Sequence, residues 1–328
     1  MHNGLEPDDR QALYRLGDRT LAWPQGCWYW GDAIAYDGLL AADGILEVGW
    51  ADQLAERVDR WAGSAPDSWD DALAPGRAIA RLVLAGKASK DALNRLVRAI
   101  ARCPRTESGV PLLRPHVPEW RSLVWVDSLY HLPAGLAAAG QALDREDLVE
   151  EAARVAIATL DLLACRGSVA QAYDAGRREN NQVCWTRGIG WAMLGLLDLI
   201  ELLGPVNSHA EQLGSRTRGL MRGLVGVQLS DGHWPTTLER PSADSETSVA
   251  AFYLAAARHP SAVAFDLPRE AAESAARAVK DAVDHEGLYQ GVSKDTHVRW
   301  EVDGYLRPPV APSPWGQGAA LRAIASLC

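Results

Sequence analysis

Two kinds of apolar pattern alternate along this chain of 328 residues. In one kind, apolar residues recur every three or four positions, as Leu93, Leu96, Val97 and Ile100 do after Ser89. This spacing puts them on one face of a helix and leaves the other face in water, which is typical of an outer helix. The same pattern predicts outer helices at residues 9–16, 54–61, 149–160, 211–224 and 271–283.

The second kind of segment is apolar nearly all round and rich in glycine and alanine. A helix of this kind has to be covered on every side, so it is predicted to lie inside the fold. These segments are residues 34–42, 75–84, 128–140, 191–203, 247–257 and 315–327. Because outer and inner segments alternate, the sequence predicts six hairpins of roughly fifty residues each, closed into an all-α (α/α)6 barrel. No linker or low-complexity stretch divides the chain, so residues 1–328 are predicted to form a single domain.

The composition narrows the class of protein. Hydrophobic residues make up 48% of the chain and only two are Phe, which favours helix over sheet. The formal net charge of −9 argues against a nucleic-acid-binding surface. An acidic start without an apolar stretch, and no uninterrupted apolar run of about 18 residues, predict a cytoplasmic protein that does not cross a membrane. The five cysteines lie far apart and in no metal-binding spacing, so we expect reduced thiols and neither a metal nor a cofactor.

The loop ahead of the fourth inner segment is the most distinctive stretch. Trp185, Arg187 and Trp191 stand there among glycines. An aromatic face beside a fork of N–H donors suits a ring-shaped ligand that bears a carboxylate. The alternative is that both tryptophans are core residues and Arg187 is a helix-start charge satisfied within the protein.

Two aspartates stand where loops run into inner segments. Asp127 follows an aromatic-rich loop, and partial desolvation there would raise its pKa and suit it to general acid catalysis. It could instead serve only as a helix N-cap. Asp71 precedes the second inner segment, and in a closed ring it would face Asp127, as paired carboxylates do in glycosidases. The alternative is a solvated acid ahead of a helix that starts with Pro75.

The fifth loop carries His233 and Trp234, which could contact a substrate or serve the structure. Glu246, further along the same loop, is expected to cap the fifth inner helix. His131 and His259 lie on or at the end of apolar segments and are expected to be structural.

Taken together, these stretches resemble the unsaturated glycuronyl hydrolases of glycoside hydrolase families 88 and 105, and family 105 most closely. The resemblance extends from about Trp28 to the last helix. The spacing of Trp185, Arg187 and Trp191 is similar to the family's signature loop, and residues 125–130 resemble the motif that holds its general acid/base aspartate. The resemblance further implies that His116 is an active-site histidine, that Asp71 is the second essential aspartate, and that residues 231–234 belong to the fifth-hairpin signature.

The resemblance also implies an unusual reaction. Asp127 would deliver a proton to C4 of a Δ4,5-unsaturated uronic acid, and water would add at C5, without a metal. Arg187 would hold the carboxylate, and Trp30, Trp185 and Trp191 would form the stacking surface. The substrate would be a small oligosaccharide with an unsaturated uronide at its non-reducing end, and the protein a monomer or homodimer.

Two positions depart from the family pattern. Gln171 stands where members commonly have a histidine, and Ile189 replaces an asparagine that we expect at the rim of the site. These departures leave two other hypotheses open. One is a related enzyme acting on another enol ether or sugar in small-molecule biosynthesis. The other is a carbohydrate-binding homologue without catalytic activity.

Overall fold

The last helix of the chain, α12 (Pro314–Ala325), packs along α2 (Trp30–Leu46) and closes a ring of inner helices. The computed structural model describes residues 6–23, 30–64, 76–241 and 244–328. Each inner helix contacts the next one around the ring. The other inner helices are α4 (Gly76–Leu84), α6 (Ser128–Leu143), α8 (Thr186–Leu203) and α10 (Thr247–Ala257).

Six outer helices alternate with the inner ones and pack against them. They are α1 (Pro7–Leu21), α3 (Trp50–Ser64), α5 (Lys90–Arg102), α7 (Glu146–Leu162), α9 (Ala210–Val225) and α11 (Arg269–Asp281). The predicted all-α (α/α)6 barrel of six hairpins is therefore confirmed. The amphipathic pattern identified the outer helices because each has one wet face, as in α5, where Leu93, Leu96 and Ile100 are buried.

Helix α8 begins earlier than its apolar pattern predicts. Its first residue is Thr186, so Arg187 lies in the first helical turn and not in a loop. The glycines there serve close packing and not flexibility. A Cβ on Gly188 would come within 2.5 Å of a methyl group of Val126, and one on Gly190 within 2.9 Å of Phe252.

Short antiparallel ribbons join the loops at the ends of the helices. The strands are β1 (Leu123–Trp125), β2 (Ala164–Cys165), β3 (Ser168–Val169), β4 (Ala172–Asp174), β5 (Glu179–Asn180), β6 (Trp234–Pro235) and β7 (Ser245–Glu246). They form the sheets β1-β4-β5, β2-β3 and β6-β7. Trp125 pairs with Ala172, and the next amide, that of Val126, donates to the carbonyl of Gln171 at 2.8 Å. This ribbon fixes the start of α6 against the loop ahead of α8.

The closing contact between α2 and α12 depends on two glycines. A Cβ on Gly318 would lie 2.4 Å from the backbone of Ile34 and Ala35, and one on Gly38 would lie 2.7 Å from the carbonyl of Gly318. Only hydrogen side chains allow the two backbones to approach this closely.

A buried ionic network ties the inner helices together. Arg322 of α12 donates both terminal nitrogens to Asp198 of α8 at 2.7 Å, and Arg77 of α4 approaches the same carboxylate at 2.9 Å. Burial disfavours the Asp198 carboxylate, but the charges of Arg322 and Arg77 outweigh it and hold the pKa of Asp198 well below its usual range. Tyr130 of α6 donates to Asp37 of α2 at 2.8 Å. The network thereby links five of the six inner helices.

Candidate active site

A cavity of about 220 Å³ lies where the inner helices α2, α6 and α8 begin. Loop residues ahead of α6 and of α12 complete its wall. The lining residues are Trp30, Arg114, Trp120, Trp125, Asp127, Trp185, Arg187, Asp295, Thr296 and His297.

Asp127 lies on this wall at the N-cap position of α6. Its side chain makes no capping hydrogen bond to the helix, and only 9% of the residue is exposed. The alternative that Asp127 merely caps the helix is therefore not supported. Its backbone carbonyl does take part in the first turn, accepting from the amide of Tyr130 at 2.9 Å. The backbone of Asp127 is thus part of the helix start, whereas its carboxyl group does not cap the helix.

Aromatic rings form one part of the lining. Trp30 packs on Trp315 with ring centroids 4.5 Å apart, and its edge meets Trp191 at 6.2 Å. Trp185 borders the cavity beneath the guanidinium of Arg187, whose central carbon lies 4.5 Å from the ring centroid. These flat, rigid surfaces suit a sugar ring.

A second part of the lining combines a cation with aromatic rings. The guanidinium carbon of Arg114 lies 4.7 Å from the ring centroid of Trp125 and 5.2 Å from that of Trp120. His297 stacks on Trp120 with centroids 5.5 Å apart. Arg114 therefore brings a positive charge to the wall on a well-packed support.

Arg187 has a different set of partners from the one predicted. Its side chain is fully buried, and one terminal nitrogen donates to the carbonyl of Lys294 at 2.9 Å and to the hydroxyl of Thr296 at 3.0 Å. The other donates to the carbonyl and hydroxyl of Ser293 and lies 3.5 Å from Glu246. Burial lowers the pKa of Arg187, opposed by the charge of Glu246. The guanidinium therefore clamps residues 293–296 and also lines the cavity, and its contact with a substrate carboxylate remains a prediction.

Gln171 is part of the same clamp. It is fully buried, its amide nitrogen donates to the carbonyl of Thr296 at 2.8 Å, and its amide oxygen accepts from the hydroxyl of Tyr305. Burial raises the pKa of Tyr305 to about 12, so that hydroxyl remains a donor at neutral pH. The structure thus gives Gln171 a role in holding the loop, and direct binding of the substrate by Gln171 remains a prediction.

Glu246 holds the other side of this loop. Its carboxylate accepts from the amide of Ser293 at 2.9 Å and from the amide of Val249 at 3.2 Å. The second bond caps α10, as the sequence predicts. The buried Arg187–Glu246 pair is accordingly satisfied by further hydrogen bonds, which a buried ion pair requires.

His131 lies one helical turn after Asp127, and its ring packs 5.1 Å from that of Trp191. Neither ring nitrogen has a hydrogen-bond partner among the residues that the structure describes. Burial, followed by the charge of Arg114, lowers the pKa of His131 to about 3. The imidazole is therefore neutral near pH 7, and it lies against the ring of Trp191.

Four other predicted site residues do not line the cavity. Trp191 is fully buried behind Trp30, and Trp234 is fully buried with its indole N–H donating to the carbonyl of Leu224 at 2.8 Å. His116 is exposed, and His233 is half-buried at the start of β6. A role for these side chains in binding a ligand remains a prediction. Asp71 lies outside the described residues.

Ile189 also corrects an expectation. It is fully buried in the first turns of α8 and belongs to the hydrophobic core, not to the rim of the site. Both departures from the family pattern, Ile189 and Gln171, therefore act behind the cavity. This weakens the case that they signal a different substrate.

Several lining residues were not predicted as site residues. Arg114 lies two positions before His116, in a loop that the sequence already marks as aromatic and polar. Asp295, Thr296 and His297 come from an irregular segment with no helical or strand pattern. Trp125 lies in the motif at residues 125–130 but was not singled out, and the high tryptophan content, 13 in the whole chain, was the general signal for Trp120.

One group of potential metal ligands occurs in the described part of the chain. Ligand atoms of Asp198, Glu201 and His259 lie within 4.8 Å of one another. Asp198 is already neutralised by Arg322 and Arg77, so these residues fit the buried network better than a metal centre.

Comparison with known proteins identifies the family. The sequence model of glycosyl hydrolase family 88 matches residues 18–328, and the chain belongs to that family. Unsaturated rhamnogalacturonyl hydrolase YesR of Bacillus subtilis is 25% identical over 209 residues, which span 62% of this chain and 59% of that protein. Protein Atu3128 of Agrobacterium fabrum is 30% identical over 126 residues, 35% of this chain and 54% of that protein. The matches thus span little more than half the length of these curated relatives.

Solved structures share the fold over nearly the whole chain. A possible member of the GH105 family from Salmonella enterica serovar Paratyphi A has a TM-score of 0.86 at 19% identity, covering 100% of this chain and 96% of that one. Unsaturated glucuronyl hydrolase from Bacillus sp. GL1 has a TM-score of 0.71 at 17% identity, covering 96% and 94%. The resemblance to family 88 is thereby confirmed, and the structures named for GH105 share the fold. None of the described helices combines the length and apolar character needed to cross a bilayer.

Proposed function

We propose that this chain hydrates the C4=C5 double bond of a Δ4,5-unsaturated uronic acid at the non-reducing end of a small oligosaccharide and so releases the remaining sugar. The observation that carries the proposal is the placement of the Asp127 carboxyl group. It is nearly buried, makes no capping hydrogen bond to α6 and lies on the wall of an aromatic cavity. Membership of glycosyl hydrolase family 88 supports the same reaction class.

In the proposed reaction, protonated Asp127 donates its proton to C4, and a water molecule adds its oxygen to C5. Asp127, now ionised, takes the surplus proton from that water. The product is a hemiketal at C5, whose ring opening leaves a hemiacetal at C1 that releases the aglycone. One residue thus acts first as acid and then as base. Asp71 remains our prediction for the second carboxylate.

The size of the cavity supports action on the terminal sugar alone. Its volume of about 220 Å³ is smaller than the roughly 300–1,000 Å³ of most sites for larger ligands. One sugar ring between Trp30 and Trp185 would fill it, and the aglycone would lie outside. YesR is named for unsaturated rhamnogalacturonyl substrates, so a galacturonyl-rhamnose product is the first candidate.

We infer that the ring is a single catalytic domain, because the cavity takes side chains from widely separated helices, from Trp30 of α2 to His297 ahead of α12. Work in the cytoplasm also remains a prediction. The four cysteines within the described ranges are unpaired, as expected in a reducing compartment.

A spectroscopic screen tests the proposal. The double bond of a lyase product is conjugated with its carboxylate and absorbs ultraviolet light, and hydration removes that absorbance. We expect the pure protein to bleach at least one disaccharide from lyase digests of rhamnogalacturonan, ulvan, glucuronan or glycosaminoglycans. Binding of such a disaccharide without bleaching would instead identify a non-catalytic homologue. Turnover of another vinyl ether alone would identify a related biosynthetic enzyme.

A further inference from the structure

We propose that Trp300, supported by Arg177, is a binding platform for the second sugar of the substrate, the aglycone that lies outside the cavity. The inference rests on the proposed function, because it assigns the next sugar of the same oligosaccharide. Its starting point is an exposed indole close to the mouth of the cavity, in a segment whose earlier residues line the wall.

The exposure of Trp300 sets it apart. Among the tryptophans that the structure describes, it is the only exposed one, with 38% of its surface open to solvent. The guanidinium carbon of Arg177 lies 4.5 Å from its ring centroid. Arg177 thus packs on one face of the indole, and part of the ring remains accessible. One exposed apolar residue needs no functional explanation by itself, so the location of this one decides its role.

Trp300 lies within reach of the cavity along the chain. Thr296 and His297 line the cavity, and His297 is also exposed, so it stands at the mouth. Trp300 follows only three residues later. Because consecutive Cα atoms are about 3.8 Å apart, the Cα atoms of His297 and Trp300 are separated by at most about 11 Å. The next sugar of an oligosaccharide held in the cavity can span such a gap.

Contacts across the fold bring Arg177 to the same side. Trp120 lines the cavity and stacks on His297. Ser122, two residues further on, donates its hydroxyl to the carboxylate of Asp174 at 2.8 Å. The Nε atom of Arg177 lies 3.6 Å from that carboxylate. Arg177 and the indole that it supports are therefore connected by separate routes to the two stacked rings of the cavity wall.

The backbone beside the platform is fixed by hydrogen bonds. The side-chain amide of Asn181 donates to the carbonyl of Arg299 at 2.8 Å and to the hydroxyl of Tyr305 at 2.9 Å. The backbone amide of Arg299 donates to the same hydroxyl at 3.0 Å. A preformed aromatic surface loses little conformational entropy when it binds a ligand. Trp300 can therefore contribute to affinity despite its exposure.

A sugar ring is the ligand that fits this surface. The cavity of about 220 Å³ accepts one ring, so the glycosidic bond places the following ring at the mouth. A pyranose presents C–H groups on its faces, and these stack on the flat indole while its hydroxyl groups stay in water. A 6-deoxy sugar such as rhamnose adds a methyl group, which increases the apolar area that the indole can cover. The platform therefore favours oligosaccharides over uronides with a small aglycone.

Two substrates that share the unsaturated ring test the assignment. They are the unsaturated galacturonyl-rhamnose disaccharide, or another lyase disaccharide if the protein bleaches only that one, and the methyl glycoside of the same unsaturated uronic acid. Trp300→Ala should raise KM for the disaccharide about 2- to 10-fold, the loss typical of one aromatic contact, and leave kcat unchanged. KM for the methyl glycoside should not change. Trp300→Tyr should keep most of the affinity for the disaccharide, and Arg177→Ala should lose part of it because the indole loses its support.

Tyr14→Ala is the matched control. Tyr14 is also an exposed aromatic residue, but it lies on α1, packs on Trp50 and does not line the cavity. This variant should leave both KM values unchanged. An unchanged KM for the disaccharide in Trp300→Ala, or an equal rise for both substrates, in a protein with an unchanged melting temperature would overturn the assignment. If the unaltered protein bleaches no lyase disaccharide, the proposed function itself fails, which is a separate result from the comparison of the two substrates.

Discussion

Arg187 and Thr296 are 109 positions apart in the sequence, yet the guanidinium of one donates to the hydroxyl of the other at 3.0 Å. Gln171 reaches the carbonyl of the same threonine at 2.8 Å. One residue of an irregular segment is thus held by two side chains of the α7–α8 hairpin, one from the connection and one from the first turn of α8. Because Thr296 and its neighbours line the cavity, these bonds fix the shape of the site.

The first prediction concerns the proposed acid. Asp127→Asn should lower kcat for the unsaturated disaccharide at least about 100-fold, because an amide cannot donate the proton that the reaction requires. Initial rates of bleaching measure the effect, and circular dichroism checks the fold.

The matched control is Asp144→Asn, at the other end of α6. Asp144 is exposed and has a left-handed backbone with φ of 58°, which asparagine also adopts readily. This variant should keep full activity. Full activity in Asp127→Asn would remove Asp127 from the mechanism.

The second prediction tests the clamp. Arg187→Gln should lower the free energy of unfolding by about 3–5 kcal/mol, because it leaves the fully buried Glu246 without its cation. Amide exchange at residues 293–297 should speed up at the same time. Chemical denaturation and hydrogen-exchange mass spectrometry measure the two effects.

A surface pair provides the comparison. Arg216 contacts Asp161 at 2.8 Å, but 34% and 59% of their side chains are exposed. Arg216→Gln should therefore cost no more than about 1 kcal/mol. Equal losses of unfolding free energy in the Arg187→Gln and Arg216→Gln variants would mean that the buried contacts of Arg187 stabilise the protein no more than a surface ion pair does.

The third prediction is a pH dependence. The pKa of His131 is lowered to about 3, so between that value and its ordinary 6.5 the unfolded chain binds a proton that the folded chain does not. Above pH 6.5 the imidazole is neutral in both states, so burying it costs no protonation free energy. As the pH falls from 6.5 towards 3, the free energy of unfolding decreases by up to about 1.4 kcal/mol per pH unit. His131→Leu should flatten that part of the stability curve, measured by urea unfolding at pH 4 to 7.

His285 is exposed and serves as the control. His285→Leu should leave the slope unchanged. An identical fall in stability for His131→Leu and the unaltered chain would show that other groups cause the acid sensitivity.

The fourth prediction concerns the contact between α6 and α8. A Cβ on Gly195 would lie 2.3 Å from the Cα of Tyr130 and 2.5 Å from the carbonyl of Leu129. Gly195→Ala should therefore destabilise the protein by about 1–3 kcal/mol. It should also reduce kcat, because the displaced first turn of α6 directly follows its N-cap residue, Asp127.

Gly219, in the exposed face of α9, has no atom within 4 Å of the corresponding position. Gly219→Ala should stabilise the protein by about 0.5–1 kcal/mol through helix propensity alone. Thermal unfolding of both variants separates the steric effect from the intrinsic preference. A stable, fully active Gly195→Ala protein would contradict the close packing.

The helices could be predicted from sequence because the apolar positions of each one recur regularly, on the faces that it buries against neighbouring helices. The entrances to the inner helices follow from that pattern, which is how Asp127 and Trp185 could be found. The partners of Arg187 could not, because they come from a segment without periodicity more than a hundred residues away. The arginine side chain indicated a set of N–H donors, but only the folded structure shows which acceptors bind those donors.

Arg114 escaped prediction for a related reason. A single arginine in a polar loop carries no distinguishing pattern, and its importance arises from the two tryptophan faces that the fold brings beneath it. Conversely, Trp234 belonged to a recognisable motif but packs against Tyr253, with ring centroids 5.0 Å apart. A sequence motif can therefore be characteristic of a family because its residues form part of the core, and not only because they take part in the chemistry.

The contact between α2 and α12 has a consequence for the order of events during protein synthesis. Trp30 needs Trp315 as its stacking partner, and residues 295–297 emerge from the ribosome only shortly before α12. A nascent chain that has completed α10 already carries Asp127 and Trp185, but on an open ring that still lacks its last inner helix, α12, against which Gly38 of α2 packs. The wall of the cavity is therefore completed in one late step, when the newest helix docks against one of the oldest.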